Sequence, residues 1–334
     1  MAVRGEPCQP LRKSKQMNLR ELRYLSKSDV QSLGLSYSEI ADAIAKILRR
    51  KQNNAAWNNP NSTISPYEGT RSISFHAAAL DPAFSVHKTL GLSRDNSARN
   101  LPHLGGLINV HDVHTGHPVA ILECEEITGL RTASLSLLAS RYLTPRRKVQ
   151  TIGFVGAGRQ ASFHLEAFLS EFDLRKAILL GREGGSCCRL ADECRSKGLT
   201  ALVTPDWQEV LRSADIVVTS VPDGPGFKPF LDASLLSEAS FVAAVDAGRS
   251  WTPSGLGSFD ELVVDDIPLH NMKPYVTGVK PDGDLTRLVC GTPGSRGSQR
   301  SGFFFTGIAI ADLAAVELAL QKAEVMKVGT VLQR

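Results

Sequence analysis

The sequence predicts an α/β protein: a Rossmann-type doubly wound parallel sheet with a second, smaller discontinuous α/β domain. Three observations carry this expectation. The 334 residues exceed what one hydrophobic core ordinarily organises, which points to about two domains. From Val149 onward, short apolar strands alternate with helices, the pattern of a parallel sheet covered on both faces. Gly156-Ala157-Gly158-Arg159-Gln160-Ala161 follows the first of these strands and opens a helix.

Composition narrows the class. Hydrophobic residues make up 42% and charged residues 22%, an ordinary globular balance. No apolar run reaches the ~18–20 residues of a membrane span, so no membrane partner is expected. The net charge of +4, from 38 basic and 34 acidic residues, is too mild to imply nucleic acid. Most of that excess sits in residues 1–16, where Arg4, Arg12, Lys13 and Lys15 face only Glu6. This stretch has no apolar signal core and reads as a disordered tail, with Met17 as a candidate start. The six cysteines contain no CxxC and read as reduced thiols, so a cytoplasmic protein without a metal is expected.

Along the chain, residues 18–51 read as helical. Ser36 and Glu39 have capping-box spacing, followed by Ile40, Ala43, Ile44, Ile47 and Leu48 on one face. Residues 53–66 read as a loop. Strands are expected at 72–75, 84–88, 107–110 and 118–122, the last two joined by a turn at 114–117. Residues 127–143 form a helix ended by Pro145. Strands then fall at 149–155, 177–180, 201–203, 216–220, 241–245 and 262–264, with helices at 160–171, 187–197 and 206–213. Residues 291–302 read as an exposed loop and 307–327 as a closing helix.

The glycine turn carries the chemistry. Gly156 permits a tight turn, Gly158 lets backbone approach a pyrophosphate, and Ala161 lets the helix pack on the sheet. The helix start offers free N–H groups to phosphate. Gly156, Ala157, Gly158, Arg159 and Gln160 are therefore candidate cofactor contacts. The second strand ends in Leu180-Gly181-Arg182-Glu183. Gly181 stands where an acid would bind the ribose of NAD, and Arg182 suits a 2′-phosphate, so NADP(H) is favoured, with NAD(H) as the alternative. Asp246 ends a strand of the sheet. It is read either as a proton-transfer group facing the nicotinamide or as a capping residue. His111, His114 and His117 straddle a hairpin and read as surface or turn residues. His87 and Lys88 point to opposite faces of their strand.

Four stretches, in order, resemble the ornithine cyclodeaminase/mu-crystallin family. They are the strand with Lys88 followed by Gly91, the string Ile127-Thr128-Gly129-Leu130-Arg131-Thr132-Ala133, the glycine turn, and Phe305-Thr306-Gly307-Ile308-Ala309-Ile310-Ala311-Asp312. The resemblance spans roughly residues 24–325. It implies a substrate-binding and dimerisation domain of residues 17–130 plus about 320–334, an NAD(P)-binding domain of 131–319, and a homodimer. It implies that Lys88 faces the substrate as a catalytic and binding group, and that Arg131 grips a carboxylate. Thr132, Gly158, Gln160, Val221 and Gly307 match cofactor positions. Two departures stand out. Pro60–Ile64 lacks a further substrate arginine, and the cyclodeaminase catalytic Asp aligns with Gly248, two residues after Asp246. The implied activity is NAD(P)-dependent reduction of an imino acid or oxidation of an amino acid, of the pyrroline-2-carboxylate type. Ornithine cyclodeamination and non-catalytic NADPH binding are the alternatives.

Overall fold

The computed structural model describes residues 20–144, 148–181, 185–222, 224, 226–272, 275–291 and 300–334. The first half builds a mostly antiparallel sheet. It comprises β1 (Glu21–Leu25), β2 (Ala56–Asn58), β3 (Ser62–Ile64), β4 (Thr70–Leu80), β5 (Ala83–Ser93), β6 (Leu104–Asp112) and β7 (Pro118–Glu123). Helices α1 (Lys27–Ser32) and α2 (Tyr37–Gln52) precede β2, and α3 (Cys124–Leu143) follows β7. The second half alternates β8 (Thr151–Val155), α4 (Arg159–Leu169), β9 (Lys176–Leu180), α5 (Gly185–Ser196), β10 (Thr200–Thr204), α6 (Trp207–Ser213) and β11 (Ile216–Thr219). It continues through β12 (Phe241–Ala244), α7 (Pro253–Leu256), β13 (Glu261–Val264), α8 (Ile267–Met272), β14 (Gly283–Asp284), α9 (Leu285–Cys290) and β15 (Ser301–Phe304). The chain ends with α10 (Ala309–Met326) and β16 (Thr330–Gln333).

The second sheet is wholly parallel, in the order β10-β9-β8-β11-β12-β15-β13-β14. The chain winds outward from β8 through β9 to β10, then crosses to β11. The crevice between the carboxyl ends of β8 and β11 is the switch point where such sheets bind ligands. The first sheet runs β16-β1-β7-β6-β5-β4-β2, with β3 also paired to β4. Its last strand therefore comes from the end of the chain, β16 pairing antiparallel with β1.

Helices α3 and α10 are buried almost all round, as expected of helices packed on several sides. Helix α3 touches α2, α4 and α10 as well as β6 of the first sheet and β12 and β15 of the second. Helix α10 packs on α2, α3, β4 and β5. The boundaries expected at 130/131 and near 320 fall inside these continuous helices. The return of the chain to the first sheet begins with α10.

Four short segments depart from the sequence reading. Residues 21–25 form a strand rather than the start of a helix, because β1 is inserted between β7 and β16. The loop read at 53–66 contains β2 and β3, both held by β4. Residues 301–304 form β15, which fills the gap between β12 and β13. The last residues add β16. Each strand has three to five residues, and its partners lie far away in sequence. The expected cap of α2 is present, with Ser36 N–H donating to Glu39 Oε2 at 3.3 Å. Among the described residues no helix is long and apolar enough to cross a membrane.

Candidate active site

The crevice is shaped first by glycine. Gly156 follows β8 with φ +102°, and a Cβ there would lie 2.7 Å from the Ser220 carbonyl oxygen after β11. Only glycine lets the two strand ends approach this closely. Gly158 caps α4, and a Cβ there would meet nothing within 4 Å. Open space at a helix N-terminus, where backbone N–H groups and the helix dipole favour an anion, fits the pyrophosphate of a dinucleotide. Gln160 adds a buried side-chain oxygen, Oε1, without a partner in the protein. Ala161 is fully buried, as the close packing of α4 on the sheet requires.

Helix α3 is pinned to α4 beside this crevice. A Cβ at Gly129 would lie 2.2 Å from the Phe163 ring. His164 donates from Nδ1 to the Gln160 carbonyl at 2.7 Å and accepts from Ser136 Oγ at 2.9 Å. Burial holds its pKa down to about 4, so the imidazole is neutral and structural. Thr132 is buried, its Oγ1 donating to Thr128 O at 2.6 Å. The Arg159 guanidinium, expected to touch cofactor, is engaged by Glu125 and by Glu126 Oε2, the latter at 2.8 Å. Val221 lies just beyond β11, at the mouth of the crevice.

A buried charge cluster lies next to it. Lys88, on the core face of β5 with Val86 and Leu90, is 1% exposed. Its Nζ donates to both oxygens of Asp312, each at 2.8 Å. Arg131, on α3, donates from Nε to Asp312 Oδ1 at 3.1 Å. The Phe75 ring lies 4.4 Å from Lys88 Nζ, a cation–π contact. Burial, then the Arg131 charge, lowers the Lys88 pKa to about 8, against the opposing pull of Asp312.

Gly307 connects the cluster to the parallel sheet. It follows β15 with φ +91°, and a Cβ there would lie 2.3 Å from Arg131 Nη1. Its N–H and that of Thr306 donate to Asp265 Oδ2 at 2.8 and 3.1 Å. Tyr275 donates its hydroxyl to the other oxygen of Asp265. Burial raises the pKa of Asp265 to about 6 despite these donors. Asp265 directly follows β13, so the carboxyl ends of β13 and β15 together fix the backbone on which the Arg131 guanidinium rests.

Other expectations resolve differently. Asp246, expected as a proton-transfer or capping group, is enclosed by hydrogen bonds. It is 3% exposed, and both its oxygens are taken by its own turn and its neighbour strand. Oδ1 accepts from Thr219 Oγ1 at 2.9 Å and Gly248 N at 3.2 Å, and Oδ2 accepts from Ser250 Oγ. The capping reading is the one the geometry favours. Arg182 lies outside the described residues. At Gly181 a Cβ would meet the Cys187 sulfur at 2.1 Å, so this position has no room for an acid unless the thiol moves. His87 and Lys88 do take opposite faces: His87 stacks on His76 at 3.9 Å, with His111 edge-on at 5.0 Å. The described residues hold no metal-binding group of three or more His, Cys, Asp or Glu.

Sequence reasoning missed Asp312 and Asp265 as site residues. Asp312 ends the last of the four family strings, five residues after Gly307, and an acid in the first turn of an apolar helix was the available signal. Asp265 carried none, because its partners are Tyr275, 10 residues later, and the backbone of Thr306 and Gly307, about 40 residues later.

This arrangement defines a class: a dinucleotide-binding α/β protein with a buried cationic clamp at the carboxyl edge of its parallel sheet. Residues 21–253 match the ornithine cyclodeaminase/mu-crystallin family model, and the chain belongs to that family. It is 26% identical to the nodulation efficiency protein NfeD of Rhizobium meliloti, covering 93% of this chain and 98% of that one. It is 24% identical to N-((2S)-2-amino-2-carboxyethyl)-L-glutamate dehydrogenase of Staphylococcus aureus, covering 94% and 98%. The Delta(1)-pyrroline-2-carboxylate reductase of Thermococcus litoralis, solved with NADH and L-proline, shares the fold. Its TM-score is 0.82 at 22% identity, over 92% of this chain and 99% of that one. An archaeal alanine dehydrogenase dimer with bound NAD superposes with a TM-score of 0.83 at 23% identity, over 94% and 99%.

Proposed function

We propose that the protein is an NAD(P)-dependent reductase of α-imino acids, run in reverse as an amino-acid dehydrogenase. The observation that carries this reading is the pair Lys88 and Arg131. The two cations are buried together, and Arg131 is seated on the glycine that leaves the parallel sheet. A planar guanidinium suits a carboxylate, which it binds through paired hydrogen bonds. The substrate carboxylate would lie on the Nη edge of Arg131, with Lys88 alongside.

The backbone at Gly156 and Gly158 and the start of α4 would hold the pyrophosphate, with Gln160, Thr132 and Val221 lining the crevice. The nicotinamide supplies or accepts hydride when bound. Arg131 orients the α-carbon by fixing the carboxylate. Lys88, its pKa lowered by burial to about 8, holds the proton that the imine nitrogen takes up as hydride reaches the α-carbon. The burial of both cations excludes water and strengthens their hold on an anion. NADP(H) is favoured by the lack of space for an acid at Gly181 and by Arg182 after it, with NAD(H) as the second choice.

One observation favours net reduction over ornithine cyclodeamination. At Gly248, φ is +77° and a Cβ would lie 2.7 Å from the Phe304 ring. An aspartate does not fit there, and Asp246 is engaged by its own turn. We further propose a homodimer acting in the cytoplasm on a small-molecule amino or imino acid. Light scattering in solution tests the assembly; a monomer at micromolar concentration would overturn it. The activity is tested by supplying cyclic and open-chain imino acids with NADPH and with NADH. Loss of one reduced cofactor per amino acid formed is expected. Tight NADPH binding with no turnover on any of these substrates would instead favour the non-catalytic alternative.

A further inference from the structure

The proposed reaction uses Lys88 and Arg131 and leaves Asp312 unassigned. Yet Asp312 is the one group that touches both. It is completely buried, and all three of its contacts are charge-assisted: two to Lys88 Nζ at 2.8 Å and one to Arg131 Nε at 3.1 Å. It lies in the first turn of α10, where the helix dipole favours a carboxylate. Its hold on Nε leaves the Nη1 and Nη2 edge of Arg131 turned to the Gly307 backbone. Two cations and one carboxylate leave one positive charge, which a single substrate carboxylate neutralises.

We infer that Asp312 is a positioning residue, holding Lys88 as the ammonium and turning the Nη edge of Arg131 toward the substrate carboxylate. The inference rests on the proposed imino-acid chemistry only for what Lys88 and Arg131 then do. The geometry stands without it. The titratable groups acting on Lys88 are Arg131 and Cys124 on α3 and Asp312 on α10. Arg131 repels a second positive charge in this dry site, and the Cys124 thiol is pushed up to about 11 by burial, so it stays neutral at physiological pH. Asp312 is therefore the anion that keeps the lysine charged. Without it, burial and Arg131 act unopposed, and Lys88 gives up its proton at lower pH.

The test compares the full-length wild type with Asp312→Asn and Asp312→Glu, all with NADH bound. The probe is pyrrole-2-carboxylate, a flat five-membered-ring carboxylate. Its affinity is measured by calorimetry from about pH 5.5 to about 9, a range that brackets the Lys88 transition. In the wild type, affinity should fall above about pH 8. In Asp312→Asn that fall should move down by about one pH unit or more, so that at pH 8 binding is weaker by about fivefold or more. Asp312→Glu should restore the wild-type midpoint. A uniform loss of affinity in Asp312→Asn with the midpoint unmoved would mean only a structural role, and would overturn the inference.

If Asp312→Asn does not fold, the wild type still decides through titration of its labelled Lys88 side chain by NMR. A midpoint near 8 supports the inference, and one below about 6, as for a buried lysine without a counter-charge, overturns it. If the wild type binds NADH but neither reduces an imino acid nor binds the probe, the proposed reaction fails. The Lys88 titration in wild type and variant then tests Asp312 separately.

Discussion

The dinucleotide crevice and the charge cluster lie side by side, but the chain builds them in different ways. The crevice comes from one short string after β8 with support from the end of β11. Most of it is backbone: a glycine at φ +102°, a helix start, and open space at Gly158. The cluster is made of side chains from β5, α3 and α10, which span 224 residues between Lys88 and Asp312. Its supporting loop is held from β13. A site built of backbone tolerates change in its side chains but not in its glycines. A site built of converging charges depends on each member, because removing one leaves the others buried and uncompensated.

Substitutions that separate the two regions sharpen this contrast. The largest effect is expected at Lys88. Lys88→Ala should lower kcat by at least about 100-fold while leaving NAD(P)H affinity near the wild-type value. Steady-state kinetics with fluorescence titration of the cofactor checks both halves, and near-normal turnover would remove Lys88 from the mechanism. Arg131→Lys keeps the charge but loses the fork. A lost charge-assisted hydrogen bond of about 1.5–3 kcal/mol should raise KM for the imino acid by roughly 10- to 100-fold. A smaller effect on KM than on kcat would argue against carboxylate binding.

The glycines give the reverse pattern. Gly158→Ala projects a methyl into open space, so it should weaken NAD(P)H binding without lowering Tm. Gly156→Ala meets the Ser220 carbonyl at a strained φ and should cost stability, on the order of 1–3 kcal/mol. Thermal unfolding and cofactor titration of the two variants distinguish them, and a similar Tm loss in both would break the distinction. Asp246→Ala should also act through stability. It strands the donors of Thr219, Gly248 and Ser250 at a cost of about 1–3 kcal/mol. A kcat loss as large as that of Lys88→Ala, with Tm unchanged, would restore Asp246 to the chemistry.

The pH dependence is the mildest of these tests. A lysine is active here as the ammonium, and burial lowers its pKa to about 8. The rate of imine reduction should therefore be flat below that pH and fall up to about tenfold per unit above it. A profile that rises through pH 8 to 9 would mean that the neutral amine is the working form.

How much of this was legible in the sequence follows the same division. The crevice was readable because its determinants are contiguous and each residue type has a local reason. The parallel sheet was readable from its apolar strands, which need no partner to be recognised. Lys88 and Arg131 were named through family strings, not through any pattern that would place them together. Asp312 escaped because an acid in the first turn of a helix reads as a dipole match, and only α10 packing against β5 makes it a counter-ion. Strands β1, β15 and β16 were missed because strands of four or five residues have little pattern of their own. Arg182, on which the preference for NADP(H) partly rests, lies outside the described residues.

The most direct test of the central claim is a balance sheet for one reaction. The wild-type protein is incubated with Δ1-pyrroline-2-carboxylate and NADPH, in parallel with NADH, and both proline and oxidised cofactor are quantified. One reduced cofactor is expected to be consumed for each proline formed, with NADPH the better donor. No proline formed and no cofactor oxidised from the imine, while ornithine supplied in its place gives proline and ammonia with no net change in the cofactor, would contradict that claim.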